Sequence, residues 1–321
     1  MGITFTGGMT FGGGMAFTAA GGGGGGGTQR AIFGYGSTGS YVSMTNLVSS
    51  TGVVATDTTG VGSARSQLGA AGYGTDKAIF GYGLGGMSET TITNLVSNTG
   101  VVASDVAGVG QKRYSLAAAG YGGDKAIFGF GYYGGSNWSV TNLVSNTGVV
   151  ANDTAGVGTA RYGLAAASYG TDKAIFGYGT TGSFGDSRRT NLVSNTGVVA
   201  TDNTGVGTAR HQLAAAGYGG DKAIFGYGYD ASFNFAFLSL TNLVSNTGVV
   251  ASDTTGVGTA RRLLAAAVYG IDKAIFGYGG GSPGNLSLTN LVSNTGVVAS
   301  DTTGVGTARN GLAAAGYSTS A

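Results

Sequence analysis

The chain is built from a block of about 48 residues that recurs six times along its 321 residues. Each block carries Ala-Ile-Phe-Gly, Thr-Asn-Leu-Val-Ser and Thr-Gly-Val-Val-Ala in that order, then an Arg before a Leu-Ala-Ala-Ala run or a close variant of it. The first of these elements begins at Arg30, Lys77, Lys125, Lys173, Lys222 and Lys273. A fixed period of this length predicts a repeat architecture, so residues present in every copy are expected to be scaffold, and function is expected where the copies differ.

The composition excludes several classes of protein. With 67 Gly residues the chain cannot be mainly helical, because each Gly inside a helix costs roughly 1 kcal/mol relative to Ala. The net charge of +2 leaves no basic footprint, so no nucleic-acid partner is expected. There is no Cys to form disulfides or thiolate metal sites, and no uninterrupted apolar run of about 18 residues, so no membrane insertion is expected.

One repeat contains four short runs that are typical of strands. In the third copy they cover residues 115–121, 125–130, 138–144 and 149–151, with a loop predicted from Gly131 to Asn137. Turns rich in Gly, Asn and Asp separate the runs, and four strands in about 48 residues is the size of a propeller blade. The Ala-rich run fits the innermost strand, where only small side chains can converge, and an Ala-rich helix remains the alternative.

The order of the elements predicts how the ends of the chain meet. The repeats start at a second strand and stop after an inner strand, at 312–315. We therefore predict an all-β fold, a six-bladed β-propeller of four-stranded blades, whose C-terminal strand completes the first blade and closes the ring. The predicted domains are a Gly-rich N-terminal arm at 1–29 and the propeller at 30–321.

The repeat resembles the kelch family. Kelch blades have an Arg before the inner strand and a diglycine after the second strand, and here Arg65 and the Gly81-Tyr82-Gly83 triplet occupy those positions. The fourth-strand aromatic residue of the family is replaced by Val-Val-Ala. The resemblance covers about residues 30–318 and implies a kelch-like propeller.

Each repeat also carries constant charges. An Asp precedes each Arg by eight residues, as Asp57 precedes Arg65, and five turns contain Asp-Lys. One interpretation is a ring of Arg around the central channel that binds an anion. The interpretation we favour is structural, with each Arg bonding loop carbonyls and the Asp of its own blade. No Asp-x-Asp-x-Asp-Gly cluster is present, so no calcium or other metal site is predicted.

Two positions in each repeat vary between copies: the loop after the second strand, and the two residues after the constant Arg. In a meander of four strands both positions lie at one end of the blade, so we expect a single variable face, whose side chains suit sugar stacking or protein contacts. Free drift of these loops is the alternative. The predicted ligand-binding residues are Tyr41, Tyr132, Tyr133, Trp138, Phe184, Arg188, Arg189, His211, Tyr229, Phe233, Phe235, Phe237 and Arg262.

Catalysis is not predicted. His211 is the only histidine and has no partner in any repeated or recognisable motif, so we interpret it as a surface or channel residue. The residues offer no copper ligand set and no sialidase signature, and no catalytic residue, metal or cofactor is assigned.

The N-terminal 29 residues have a different pattern. Three hexads place apolar residues two apart, as on one face of a strand, and seven consecutive Gly follow at 21–27. A disordered tail is one interpretation, and the other is a strand that orders against a larger assembly or sister chains, as in a trimer. The predicted anchoring residues are Ile3, Phe5, Met9, Phe11, Met15 and Phe17.

An arm of this kind joined to a variable propeller resembles a bacteriophage tail or fibre component. The resemblance implies a non-enzymatic virion protein, assembled in the host cytoplasm, whose arm binds other virion proteins and whose propeller binds a host surface glycan or protein. The N-terminus has no basic, continuously apolar start typical of a secretory signal, which agrees with release by lysis. A purely structural virion protein and a bacterial extracellular lectin-like adhesin remain alternatives.

Overall fold

The computed structural model describes residues 28–86, 88–182, 185–231 and 235–319. Within these ranges the chain is all-β, as predicted, with no helix and with six three-stranded antiparallel sheets and one small two-stranded sheet. The predictions for the anchoring residues and for Phe184 and Phe233 concern positions outside the described residues.

Five of the sheets use strands that follow one another along the chain. The first contains β3 (Gly69–Tyr73), β4 (Lys77–Gly81) and β7 (Thr93–Val96), with the small sheet of β5 (Leu84–Gly85) and β6 (Ser88–Glu89) between the last two. The next two are β8 (Ala117–Tyr121), β9 (Lys125–Tyr133) and β10 (Ser136–Val144), then β11 (Ala165–Tyr169), β12 (Lys173–Gly177) and β13 (Thr190–Val193). The last two are β14 (Ala214–Tyr218), β15 (Lys222–Asp230) and β16 (Ala236–Val244), then β17 (Ala265–Tyr269), β18 (Lys273–Gly277) and β19 (Thr289–Val292).

The sixth sheet joins the two ends of the described chain. It contains β2 (Thr45–Val48), β1 (Gln29–Gly34) and β20 (Ala313–Ser318), with β1 in the middle. Six residue pairs hold β20 to β1, from Gln29 opposite Ser318 to Gly34 opposite Ala313. The predicted pairing of the last strand with the first copy is therefore present, and it starts one residue before the predicted domain boundary.

The inner strands contact one another in cyclic order. β3, β8, β11, β14, β17 and β20 each contact the next, and β20 contacts β3. Their Ala-Ala-Ala runs alternate between buried and half-buried positions and surround a cavity of about 80 Å³. Small side chains are required here because six strands approach one another closely.

A closed set of backbone hydrogen bonds links the six sheets just before the inner strands begin. The second residue after each constant Arg donates its N–H to the carbonyl of the equivalent residue in the preceding sheet, and the set closes because the first residue, Gln67, donates to the carbonyl of the last, Gly311, at 2.6 Å. All six residues have a left-handed backbone, with φ between 52° and 63°. They are Gln67, Ser115, Gly163, Gln212, Leu263 and Gly311.

The middle strand of each sheet supplies the core. Ile32 and Phe33 are fully buried on opposite faces of β1, so each sheet packs against both of its neighbours. A Cβ on Gly34 would lie 2.8 Å from the Cζ atom of Phe80 in the neighbouring sheet, which explains why this position is Gly. Tyr35 follows with φ of 65° and packs edge-on against Phe80, with the ring centroids 5.1 Å apart.

The constant arginines join each sheet to its neighbour. Arg65 donates from Nε to the carbonyl of Tyr82 at 3.0 Å and from Nη2 to Oδ1 of Asn94 at 2.6 Å, both in its own sheet. Its guanidinium lies 4.2 Å from the ring centroid of Tyr35 in the preceding sheet, and its carbonyl accepts the N–H of Gly36 at 2.9 Å. All six are fully buried, which favours the structural interpretation over an anion-binding ring: Arg65, Arg113, Arg161, Arg210, Arg261 and Arg309.

The acid that meets each Arg is not the one eight residues earlier. Asp57 lies 3.8 Å from Nη1 of Arg309 in the sheet of β20, β1 and β2, rather than pairing with Arg65. Burial alone would raise the pKa of Asp57, but hydrogen bonds from Thr307 and Asn46, together with the charge of Arg309, hold it below its ordinary value of 3.8. The order of the elements explains the difference, because each Arg stands at the start of a new sheet, and the outer segment of that sheet carries the Asp of the next copy.

The prediction of four strands per blade is wrong. The outer segment makes only isolated bridges, such as Val48 with Val54 and Thr45 with Thr58. Between these bridges the Asn46 amide donates to the carbonyl of Ala55 at 3.0 Å and to Asp57 at 2.9 Å. A side chain thus replaces part of the backbone ladder, and the outer segment is not a regular strand.

The prediction of a loop from Gly131 to Asn137 is also wrong. β9 continues to Tyr133 and β10 begins at Ser136, so the two strands form a long hairpin. β15 and β16 form a second long hairpin, and the sheet of β11, β12 and β13 lies between the two.

Candidate functional site

The two variable positions of each repeat meet in space. The residue after each constant Arg bridges the residue that follows the Gly-aromatic-Gly triplet, as Tyr114 bridges Tyr132 and His211 bridges Tyr229. Both positions lie at the end of the sheet opposite the Asp-Lys turns. Side chains that vary between copies therefore come together at one end of the molecule.

Three tyrosines form a cluster at this end. The ring of Tyr132, on the first long hairpin, lies 5.6 Å from that of Tyr114 in the same sheet and 5.0 Å from that of Tyr162 in the next. Burial raises the pKa of Tyr114 and Tyr162, and the neighbouring Tyr132 raises both further. At neutral pH these phenols keep their protons and can donate hydrogen bonds to a ligand.

The histidine has a partner that the sequence did not reveal. Nδ1 of His211 lies 2.8 Å from Oδ1 of Asp186, and Oδ2 of Asp186 accepts the backbone N–H of Ala231 at 2.7 Å. The Asp186 side chain is 0% exposed and that of His211 12% exposed. No motif in the sequence marks this partner, because it comes from the variable loop of the preceding sheet.

Arg262 lies over the aromatic rings of the second hairpin. Its guanidinium carbon is 4.6 Å from the ring centroid of Tyr229 and 5.4 Å from that of Phe237. The rings of Tyr229 and Phe237 are 5.6 Å apart, and the His211 ring meets Tyr229 edge-on at the same distance. Sheets β14–β16 and β17–β19 both contribute to this group.

We name the combined surface the aromatic arc. Tyr162 connects its two halves, because its ring lies 5.0 Å from that of Tyr132 and its backbone bridges Thr180, which in turn bridges Asp186. The arc crosses four consecutive sheets, from β8–β10 to β17–β19, and consists of Tyr114, Tyr132, Tyr162, Asp186, His211, Tyr229, Phe237 and Arg262.

Hydrogen bonds fix both hairpins to the short loop between them. Asn137 Nδ2, on the first hairpin, donates to the carbonyl of Thr181 at 2.8 Å. Asp186 accepts the backbone N–H of Ala231, on the second hairpin. On the first hairpin, Trp138 Nε1 donates to the carbonyl of Tyr133 at 3.3 Å, and Lys112 Nζ lies 5.2 Å from the Tyr133 ring centroid. The arc is therefore held from both sides, as a preorganised binding surface requires.

Other predicted residues do not join the arc. Arg188 and Arg189 are exposed, and Arg189 Nε lies 3.7 Å from Asp202, beside the outer segment of its sheet. Tyr41 is half-buried and bridges Ser37 in the sheet of β1. Phe235 is 61% exposed near the tip of the second hairpin.

Sequence reasoning left three arc residues out of the predicted site. Tyr114 and Tyr162 follow a constant Arg, as His211 and Arg262 do, so their positions alone could have included them. Asp186 carried no such signal, because nothing in the chain order shows that its loop reaches His211, 25 residues later.

The rest of this end has smaller, less aromatic side chains. Outside the arc, the bridges equivalent to His211 with Tyr229 are Ser66 with Leu84 and Asn310 with Ser37. Asn310 Nδ2 donates to Oδ1 of Asn285 at 2.7 Å, in the place where His211 meets Asp186. The rings and charged pair of the arc are thus confined to one side of this end.

The described residues contain no group of three or more His, Cys, Asp or Glu placed to hold a metal ion. In the same part of the chain no helix is long and apolar enough to cross a membrane. Comparison with protein-family models and with curated proteins found no match.

Proposed function

We propose that this chain is a six-bladed, kelch-like propeller that binds a surface glycan through the aromatic arc, without catalysing a reaction. Two features support the propeller: the cyclic contacts of the inner strands and the closed set of six backbone hydrogen bonds. Three-stranded sheets with a bridged outer segment would make its blades.

The observation that carries the binding proposal is the arc itself. Its rings pack on one another with centroids 5.0–5.6 Å apart, and hydroxyl, imidazole and guanidinium groups lie among them. Aromatic faces next to hydrogen-bond donors suit the apolar faces and hydroxyl groups of sugars. A host surface protein would be the partner if the same rings serve as hot spots for a protein interface.

We place the protein on a virion, as a tail or fibre component anchored by residues 1–29. Support comes from the alternating apolar hexads at 1–17 and from the concentration of variable side chains at one end, away from the N-terminal attachment at Gln29. A purely structural role would leave the aromatic arc without a ligand.

Two experiments test the proposal. A glycan array probed with the full chain should give at least one ligand, whose binding falls at least about tenfold in the Tyr132→Ala, Tyr229→Ala double variant. If no glycan and no host cell surface binds the chain, the binding role is wrong. Mass analysis of purified phage particles should detect the chain, and its absence from all particles would contradict the virion location.

A further inference from the structure

Arg262 differs from the constant arginines and from the lysines of the Asp-Lys turns. The constant arginines direct their N–H groups to carbonyls and Asn side chains of their own sheets. The Lys residues at 77, 125, 173, 222 and 273 each lie against the Asp that precedes them. Arg262 has neither arrangement, and among the described residues no carboxylate forms an ion pair with it.

The position of Arg262 is nevertheless fixed. Its backbone exchanges two hydrogen bonds with Gly280, at 2.9 and 2.8 Å, and its guanidinium lies over Tyr229 and Phe237. A guanidinium that stacks on rings keeps its N–H groups in its own plane, where they can meet a planar anion through two parallel hydrogen bonds. This is the geometry of a preformed receptor for a carboxylate.

The carboxylates close to Arg262 are already engaged or buried. Asp186 uses one oxygen on His211 and the other on the N–H of Ala231, and its side chain is fully buried. Asp230, at the end of β15, is 5% exposed. Since Asp186 occupies Nδ1 of His211, Nε2 is the ring nitrogen left to meet a ligand, and His211 and Arg262 both contact the Tyr229 ring.

We propose that Arg262 and His211 form the subsite for the carboxylate of an acidic sugar, while the tyrosine cluster stacks a neighbouring sugar of the same chain. The ligand is then an acidic oligosaccharide rather than a neutral one. This inference rests on the proposed function, because it names the class of glycan that the aromatic arc binds.

The test compares two probes of equal length by titration calorimetry with the full chain: a hyaluronan octasaccharide, which carries carboxylates, and chito-octaose, which is neutral. The wild type should bind the acidic probe about 10- to 100-fold more tightly, the range expected for a charge-assisted hydrogen bond. Arg262→Gln should abolish that preference, and Arg262→Lys should keep only part of it, since an ammonium group cannot bind in a bidentate manner.

Lys273→Gln is the matched control, since it also removes one positive charge but lies in a turn at the opposite end, 3.7 Å from Asp272. It should leave both affinities unchanged. If Lys273→Gln weakens acidic binding as much as Arg262→Gln does, the preference reflects net charge and the subsite is wrong.

The outcomes separate this inference from the function on which it rests. Equal binding of the two probes, or binding of chito-octaose alone, overturns the carboxylate subsite but leaves glycan binding standing. If the wild type binds neither probe, the acidic-sugar subsite is wrong, and the glycan array decides whether any glycan is bound.

Discussion

Two junctions between neighbouring sheets have the same geometry and different chemistry. Between β11–β13 and β14–β16, Asp186 meets His211 at 2.8 Å, and between β17–β19 and the sheet of β1, Asn285 meets Asn310 at 2.7 Å. Both pairs lie 25 residues apart in the chain, and both join a variable loop to the residue after a constant Arg. The scaffold thus sets the distance, and the loops supply either an acid with an imidazole, which we name the charged junction, or two amides, which we name the neutral junction.

The difference shows how a nearly uniform repeat can carry a local site. Tyr162 and Tyr229 occupy at the charged junction the positions that Arg262 and Ser37 occupy at the neutral one, and the guanidinium of Arg262 lies over Tyr229 of the charged junction. The charged junction would therefore serve a ligand as well as the fold, and the neutral junction only the fold.

Removing one partner should lower the free energy of unfolding more at the charged junction than at the neutral one. His211→Leu leaves the buried Asp186 carboxylate with one hydrogen bond fewer, and we expect the free energy of unfolding to fall by roughly 3 kcal/mol. Asn310→Leu leaves only a half-buried amide, and the expected loss is about 1 kcal/mol. Urea unfolding of the two variants measures both values, and equal losses would contradict the distinction between the junctions.

Ligand binding should depend only on the side chains beside the charged junction. Tyr229→Ala removes the ring that contacts His211, Phe237 and Arg262, and we expect the dissociation constant for a bound glycan to rise about tenfold, or ~1.4 kcal/mol. Leu84→Ala changes the equivalent bridge position on the opposite side and should leave binding unchanged. Calorimetry on both variants provides the check, and a comparable loss in Leu84→Ala would mean that the arc is not the site.

Converting one junction into the other should preserve the fold. The double variant Asp186→Asn, His211→Asn copies the Asn285–Asn310 pair, so it should lose about 1 kcal/mol less stability than the two single variants summed. Chemical denaturation of the three variants gives this coupling energy. Strict additivity would show that Asp186 and His211 do not act as a pair.

Acid should destabilise the scaffold that the two junctions share, because a feature common to the repeats responds to it. Hydrogen bonds from Thr or Ser and from Asn, with a nearby Arg charge, outweigh burial and lower the pKa of Asp57, Asp105, Asp202, Asp253 and Asp301. Since their folded-state pKa lies below 3.8, their stabilisation is complete above that value and is lost as the pH falls through the folded-state pKa.

Urea midpoints at about pH 6 and about pH 3 measure this loss. The wild type should lose stability between these values, and the Asp57→Asn variant should lose less, because it lacks one of these carboxylates. An equal loss in the two proteins would show that the acid response comes from other groups.

The repeat made most of the fold predictable. The Ile-Phe-Gly strand, the small inner strand and the pairing of the chain ends follow from residues such as Phe33, Gly34 and Ala315, whose roles depend on local pattern and copy number. The irregular outer segment was not predictable. The Asn46 side chain bonds to the Ala55 carbonyl in place of a backbone N–H of a regular strand pair, and this choice depends on side-chain geometry.

The site was predictable only in part. Comparing copies located Tyr132, His211, Tyr229 and Arg262, which share register positions that differ between repeats. Asp186 could not be found in this way, since its contact with His211 depends on where a loop of irregular length ends.

The most direct test of the account is a crystal structure of the full chain with its bound glycan. We predict sugar density across the aromatic arc, within hydrogen-bond distance of His211 or Arg262 and stacked on at least one of Tyr132, Tyr162 and Tyr229. Density at the opposite end, beside the Asp-Lys turns, would contradict the assignment of the binding surface.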